Sequence, residues 1–90
     1  MKHKKGTETN HVFVWRHSGE AKKVFLVGGF NDWTPEPMPL MNDEFRLSLH
    51  LAPGRYEYKF VVDGQWCNDT AAAESAPNAF GTTNSVVQVR

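Results

Sequence analysis

Apolar and polar residues alternate without a break along Phe45-Arg46-Leu47-Ser48-Leu49-His50-Leu51. A period of two places the apolar side chains on one face, as in a half-buried strand. After the turn-forming Pro53-Gly54, Tyr56, Tyr58, Phe60 and Val62 again share a face, opposite Glu57, Lys59 and Asp63. These two strands are expected to pair antiparallel. Val12-Phe13-Val14-Trp15 and Val24-Phe25-Leu26-Val27 are β-branched and aromatic runs that read as the first two strands, joined across the polar Ser18-Gly19-Glu20. Trp15 alternates in register with Phe13 and is expected in the core. Asp63-Gly64 has the chemistry of a type I′ hairpin turn, so Gln65 and Trp66 should begin a short return strand. A small-residue loop is expected from Asn68 to Thr83, and a last strand from Ser85 to Arg90. The only helix-like stretch, Thr70 to Ala76, is stopped by Pro77 and is too short to matter. The pattern predicts an all-β chain of antiparallel strands, either an immunoglobulin-like sandwich or a small barrel.

Ninety residues, 40% hydrophobic and 12% aromatic, are enough for one compact domain. So small a domain has little room for a deep catalytic cleft, which favours a binding surface. Residues 1–9, with the basic Met1-Lys2-His3-Lys4-Lys5 and no apolar run of the signal-peptide kind, read as a disordered tail before a domain at 10–90. Ten basic residues balance ten acidic ones, so no global field favours nucleic acid or a membrane surface. Cys67 is the only cysteine, which rules out an internal disulfide and makes the cytoplasm the expected compartment. No base accompanies it in the sequence to make it a nucleophile. The histidines, His3, His11, His17 and His50, lack metal-ligand spacing, so neither a metal nor a cofactor is expected. Gly28-Gly29 opens no helix and is not a phosphate loop.

Two tryptophans stand where strand alternation has stopped. Trp33 lies among loop formers in Gly29-Phe30-Asn31-Asp32-Trp33-Thr34-Pro35, and Trp66 follows the hairpin turn. An indole so placed either folds back to cap the sandwich or offers a flat face to a ligand. Sugar rings suit such a face, because their axial C–H groups are apolar while their hydroxyls point outward. Lys59, on the outward side of its strand, is either a solvated lysine or a donor free to bond a hydroxyl. Thr82, Thr83, Asn84 and Ser85 form either an ordinary polar turn or further hydrogen-bonding groups.

Together, Val24 to Trp33, Tyr56 to Trp66 and Gly81 to Val87 resemble, in order and spacing, carbohydrate-binding module family 48. Its members include the glycogen-binding domain of a kinase β subunit and the modules that precede the catalytic domains of branching and debranching enzymes. The resemblance covers about residues 11–90. It implies an early-set immunoglobulin-like sandwich that binds α-1,4-linked glucan without catalysis and brings a protein partner to it. That partner is unknown and would be a glycogen-metabolising enzyme or a kinase complex. It further implies that Trp33 and Trp66 stack on glucose, that Lys59 and Asn84 bond hydroxyls, and that Thr82 lines the site. Phe80 stands where the kinase-associated member has a leucine, and either keeps that contact with a flatter ring or blocks it. Asp69-Thr70 replaces a common Asp-Pro. No segment after Arg90 is there to dock a kinase complex, so a kinase role does not follow from the resemblance; the Trp33, Lys59, Trp66, Asn84 constellation makes a stand-alone glucan-binding module the expectation. The alternative is a protein-interaction or regulatory module that has lost the sugar site. Catalysis is not expected: Asp32, Asp63 and Asp69, the acids near the tryptophans, all occupy turn positions.

Overall fold

The computed structural model describes residues 8–16 and 21–90. Nine strands and one 3₁₀ turn make up these residues: β1 (Thr9–Trp15), β2 (Val24–Gly28), the turn Gly29–Asn31, β3 (Glu36–Pro37), β4 (Leu40–Met41), β5 (Glu44–Leu51), β6 (Gly54–Val62), β7 (Gln65–Cys67), β8 (Glu74–Pro77) and β9 (Thr83–Val89). All pairings are antiparallel, in one sheet ordered β1-β5-β4 and a larger one ordered β3-β2-β6-β9-β8, with β7 also on β6. The chain is therefore the all-β antiparallel sandwich of the immunoglobulin-like class. The tail before Glu8 and the Ser18-Gly19-Glu20 connection lie outside the described residues.

Aromatic rings join the two sheets. Phe13 and Trp15 of β1 meet Tyr58 and Phe60 of β6 edge-on, with centroids 5.1 Å (Phe13–Tyr58) and 5.2 Å (Trp15–Phe60) apart. Val24, Leu26, Met38, Phe45, Leu51 and Val89 complete the buried cluster. Edge-to-face contact aligns the positive rim of one ring with the negative face of the next, and adds to the gain from burying apolar surface. Trp15 thus lies in the core, as its register with Phe13 indicates.

Two sequence expectations need correction. β5 and β6 do not pair: β5 bonds to β1 and β4, whereas β6 bonds to β2, β7 and β9. Their apolar faces meet across the core instead, where Phe45, Leu51, Tyr58 and Phe60 are buried, and Ala52-Pro53 carries the chain from one sheet to the other. The segment from Asn68 to Thr83 is not simply a loop, because β8 pairs with β9 from Glu74↔Val86 to Pro77↔Thr83. Its first part is pinned by Asp69. The Asp69 N–H donates to Ser85 Oγ (2.8 Å), and its carboxylate accepts from Tyr58 Oη (2.6 Å) and from the Ala71 N–H (2.9 Å). Burial, then the bond to Asp69 and its charge, push the Tyr58 phenol well above the ordinary tyrosine range.

Both hairpin turns obey backbone sterics. Asp63 and Gly64 have φ of 49° and 86°, the left-handed pair that a type I′ turn requires. Asn42 and Asp43 (51° and 68°) do the same between β4 and β5, a turn the sequence signals only through its Asn-Asp. The Asp63 carboxylate also accepts from the N–H groups of Lys22 (3.0 Å) and Lys23 (2.8 Å), tying this turn to the start of β2.

Phe60→Ala is expected to cost about 3–5 kcal/mol, and Tyr58→Phe about 1–3 kcal/mol through the lost bond to Asp69. Urea denaturation of the two variants checks both; equal costs would mean that the two-sheet contact at Phe60 is not the dominant one.

Candidate functional site

The far edge of β6 is shared by two strands. β9 pairs with Gly54–Tyr58 and β7 with Phe60–Val62, leaving Lys59 at the handover. Its side chain points to the outer face and closes the gap: the ammonium donates to Asn68 Oδ1 (2.9 Å), just past β7, and to the Thr83 carbonyl (2.7 Å), at the head of β9. Asn68 Nδ2 in turn donates to Thr83 Oγ1 (3.0 Å). Lys59 is only 9% exposed, and a buried cation persists only with such acceptors in place. The sequence-based picture of a free, outward ammonium is thus half right. The direction is correct, but two of the three protons are committed internally, and the remaining one is available at the groove that Lys59 lines.

A groove of about 680 Å³ opens over this point, lined by Trp33, Lys59, Trp66, Asn78, Phe80, Thr82 and Asn84. Trp33, Lys59, Trp66, Phe80, Thr82 and Asn84 are all brought to it and Asn78 is added, whereas Thr83 and Ser85 lie in β9 and bond internally, to Lys59 and Asn68 and to the Asp69 N–H. Its aromatic walls come from three separate places. Trp66, on β7 opposite Val61, is 59% exposed. Phe80, at the tip of the β8–β9 loop, is 88% exposed. Trp33, 41% exposed, therefore stands out from the sandwich and does not cap it.

The Trp33 loop is held by its own neighbours. Phe30 packs against Phe13 and Tyr56, at centroid distances of 5.1 and 6.0 Å. Asn31 Oδ1 accepts from the Gly28 N–H (3.0 Å), and its Nδ2 donates to the Leu26 carbonyl (3.3 Å). Asp32 and Trp33 then adopt φ of 56° and 58°, and the Trp33 N–H donates to the Gly28 carbonyl (2.9 Å). Left-handed backbone at a bulky residue costs about 1–3 kcal/mol. The bonds around it hold the indole in this conformation, over the groove.

On the opposite wall, Asn78 organises the β8–β9 loop. Its Oδ1 accepts from the N–H groups of Phe80 (2.9 Å) and Thr82 (3.2 Å), while its Nδ2 donates to Thr82 Oγ1 (2.9 Å) and Asn84 Oδ1 (3.0 Å). Asn84, 7% exposed, passes the chain on by donating to Glu57 Oε1 (3.0 Å). An asparagine that bonds the backbone two residues on is a turn signal readable in Pro77-Asn78-Ala79-Phe80-Gly81. The roles of Asn68 and Glu57 have no such local signal, because their partners are distant in sequence. Exposed flat rings above, with fixed donors and acceptors at the base, suit a neutral ligand that has an apolar face and hydroxyls along its edges.

The description "glycogen recognition site of AMP-activated protein kinase" matches residues 9–90. The 5'-AMP-activated protein kinase subunit beta-1 of Sus scrofa is 38% identical over 77 residues, which cover 86% of this chain and 62% of the relative. The beta-1 subunit of Bos taurus is 39% identical over the same length and 28% covered, and the beta-2 subunit of Homo sapiens is 34% identical over 87 residues and 32% covered. The chain thus spans less than two thirds of each of these relatives.

Gly28 faces a crowded spot: a Cβ there would lie 2.6 Å from the Phe30 ring and 2.9 Å from the Glu57 carbonyl oxygen. Gly28→Ala is expected to destabilise the protein by about 1–3 kcal/mol, with amide shift changes concentrated in residues 28–34. Changes spread evenly over both sheets would show that the loop is not what gives way.

Proposed function

This chain belongs to the family of the glycogen recognition site of AMP-activated protein kinase, and from that premise we propose that it binds α-1,4-linked glucan, such as glycogen, starch or malto-oligosaccharides, without catalysing its cleavage. The observation that carries the reading is the composition of one groove: Trp33, Trp66 and Phe80 stand exposed around it, while Lys59 and Asn84 are buried and already hydrogen-bonded at its base.

Trp33 and Trp66 stack on successive glucose rings, and the remaining Lys59 proton, Thr82 and Asn84 bond the hydroxyls. Phe80 offers a third ring. Burying ~80 Å² of apolar surface per stacked ring yields ~2 kcal/mol before association costs, consistent with a weak to moderate site. Because the polar groups are fixed before the ligand arrives, little of that gain is spent on ordering them.

Absence of cleavage fits the lining, which holds no carboxylate among the described residues; glycoside hydrolysis by its common route needs two. The module's role is to hold a partner at glucan, either a glycogen-metabolising enzyme or a kinase complex. With Cys67 as the lone thiol, a reducing compartment such as the cytoplasm suits it.

Titration with maltoheptaose, followed by tryptophan fluorescence with cellohexaose as the linkage control, is expected to give saturable, α-selective binding with Kd between ~1 μM and ~1 mM. Trp66→Ala is expected to weaken binding roughly 10- to 100-fold. If the double variant Trp33→Ala, Trp66→Ala is folded and binds as well as wild type, the reading is wrong. A stable co-purifying protein together with no retention on amylose would instead mark an interaction module.

A further inference from the structure

We propose that Glu57, which lies behind the groove wall, and Asn78 are positioning residues that fix which way Asn84 presents its amide to the ligand; this rests on the glucan-binding reading above. A carboxamide has a donor end and an acceptor end of nearly the same shape, so its direction is set only by its partners. Here the partners are one-way at both ends of a chain. Glu57 is a carboxylate, which only accepts, and its Oε1 lies 3.0 Å from Asn84 Nδ2. Its other oxygen, Oε2, is engaged by the Arg55 guanidinium at 3.2 Å.

At the opposite end, Asn78 cannot turn over, because its Oδ1 serves the backbone N–H groups of Phe80 and Thr82, which only donate. Its Nδ2 must therefore face Asn84 Oδ1, at 3.0 Å. Reversing Asn84 alone sets oxygen against oxygen at Glu57 and N–H against N–H at Asn78. So held, Asn84 keeps one Nδ2 proton and one Oδ1 lone pair unassigned, a donor beside an acceptor, which matches two neighbouring sugar hydroxyls. The sequence gives no hint of this, since Glu57 sits on the polar face of its strand and its partner Asn84 is 27 residues away.

Glu57→Gln keeps the shape but removes one of the two constraints on direction, because a glutamine can meet either end of Asn84 and only Asn78 then still sets it. It is expected to weaken maltoheptaose binding about three- to tenfold, and to split or average the Asn84 side-chain amide resonances, which in wild type are expected to be single and well separated. Asn78→Asp, which still accepts from the loop N–H groups but turns a carboxylate on Asn84 Oδ1, is expected to show a comparable loss. In an Asn84→Ala background, Glu57→Gln is expected to have no further effect. Additive losses in that double-mutant cycle, or unchanged affinity for Glu57→Gln, overturn the proposal. Should wild type bind no glucan at all, the glucan reading fails by itself. The amide spectrum then decides the positioning separately, and an Asn84 signal unaffected by Glu57→Gln overturns it.

Discussion

A buried ammonium needs acceptors, and those within reach of Lys59 belong to the ends of two other strands. β6 exchanges one partner for another at this residue, so its outer edge has a break that backbone pairing alone leaves open. Lys59 bridges the break by bonding the head of β9 and the residue after β7. The cation and the groove thus depend on the same discontinuity. A continuous ladder along β6 would leave no gap at which Trp66, the β8–β9 loop and a lysine converge.

The interior supports this arrangement from below. Tyr58 and Phe60 flank Lys59 on the strand and point into the aromatic cluster with Phe13 and Trp15, so the position of Lys59 is set by the packing of its neighbours. The same cluster reaches Trp33, since Phe30 packs on Phe13 and Tyr56 while the next residues lift the indole into the open. Val27, Ala76 and Val86 are buried without joining the main cluster, and pair with Lys59, Asn84 and Glu57 respectively. Directly paired residues share a face. These small apolar side chains therefore lie on the groove face of the sheet, beside the polar residues of its base.

Much of this was legible in the chain because it follows local rules. Alternation gave β5 and β6, Asp63-Gly64 gave the β6–β7 hairpin, and the interruption of alternation drew attention to Trp33 and Trp66. The failures are non-local. Pairing of β5 with β6 looked natural across two turn residues, yet facing strands bury their apolar sides as well as paired ones do, and sequence distance does not distinguish the two. β8 was missed because Glu74-Ser75-Ala76-Pro77 has no apolar alternation; its strand character comes from β9 beside it. The internal bonds of Lys59 were not legible because its partners, Asn68 and Thr83, are 9 and 24 residues away.

The exposure of Phe80 has a consequence for how such a module can change over time. A ring at a loop tip that buries little of itself carries little of the folding free energy, whereas Lys59 and Asn84 are enclosed in hydrogen bonds on which several strands converge. Substitutions at the tip can therefore accumulate and be sorted by ligand preference alone, while those at the base are screened first by whether the chain still folds. The groove joins a freely variable rim to a conservative floor, and diversification of its contacts is channelled to the rim.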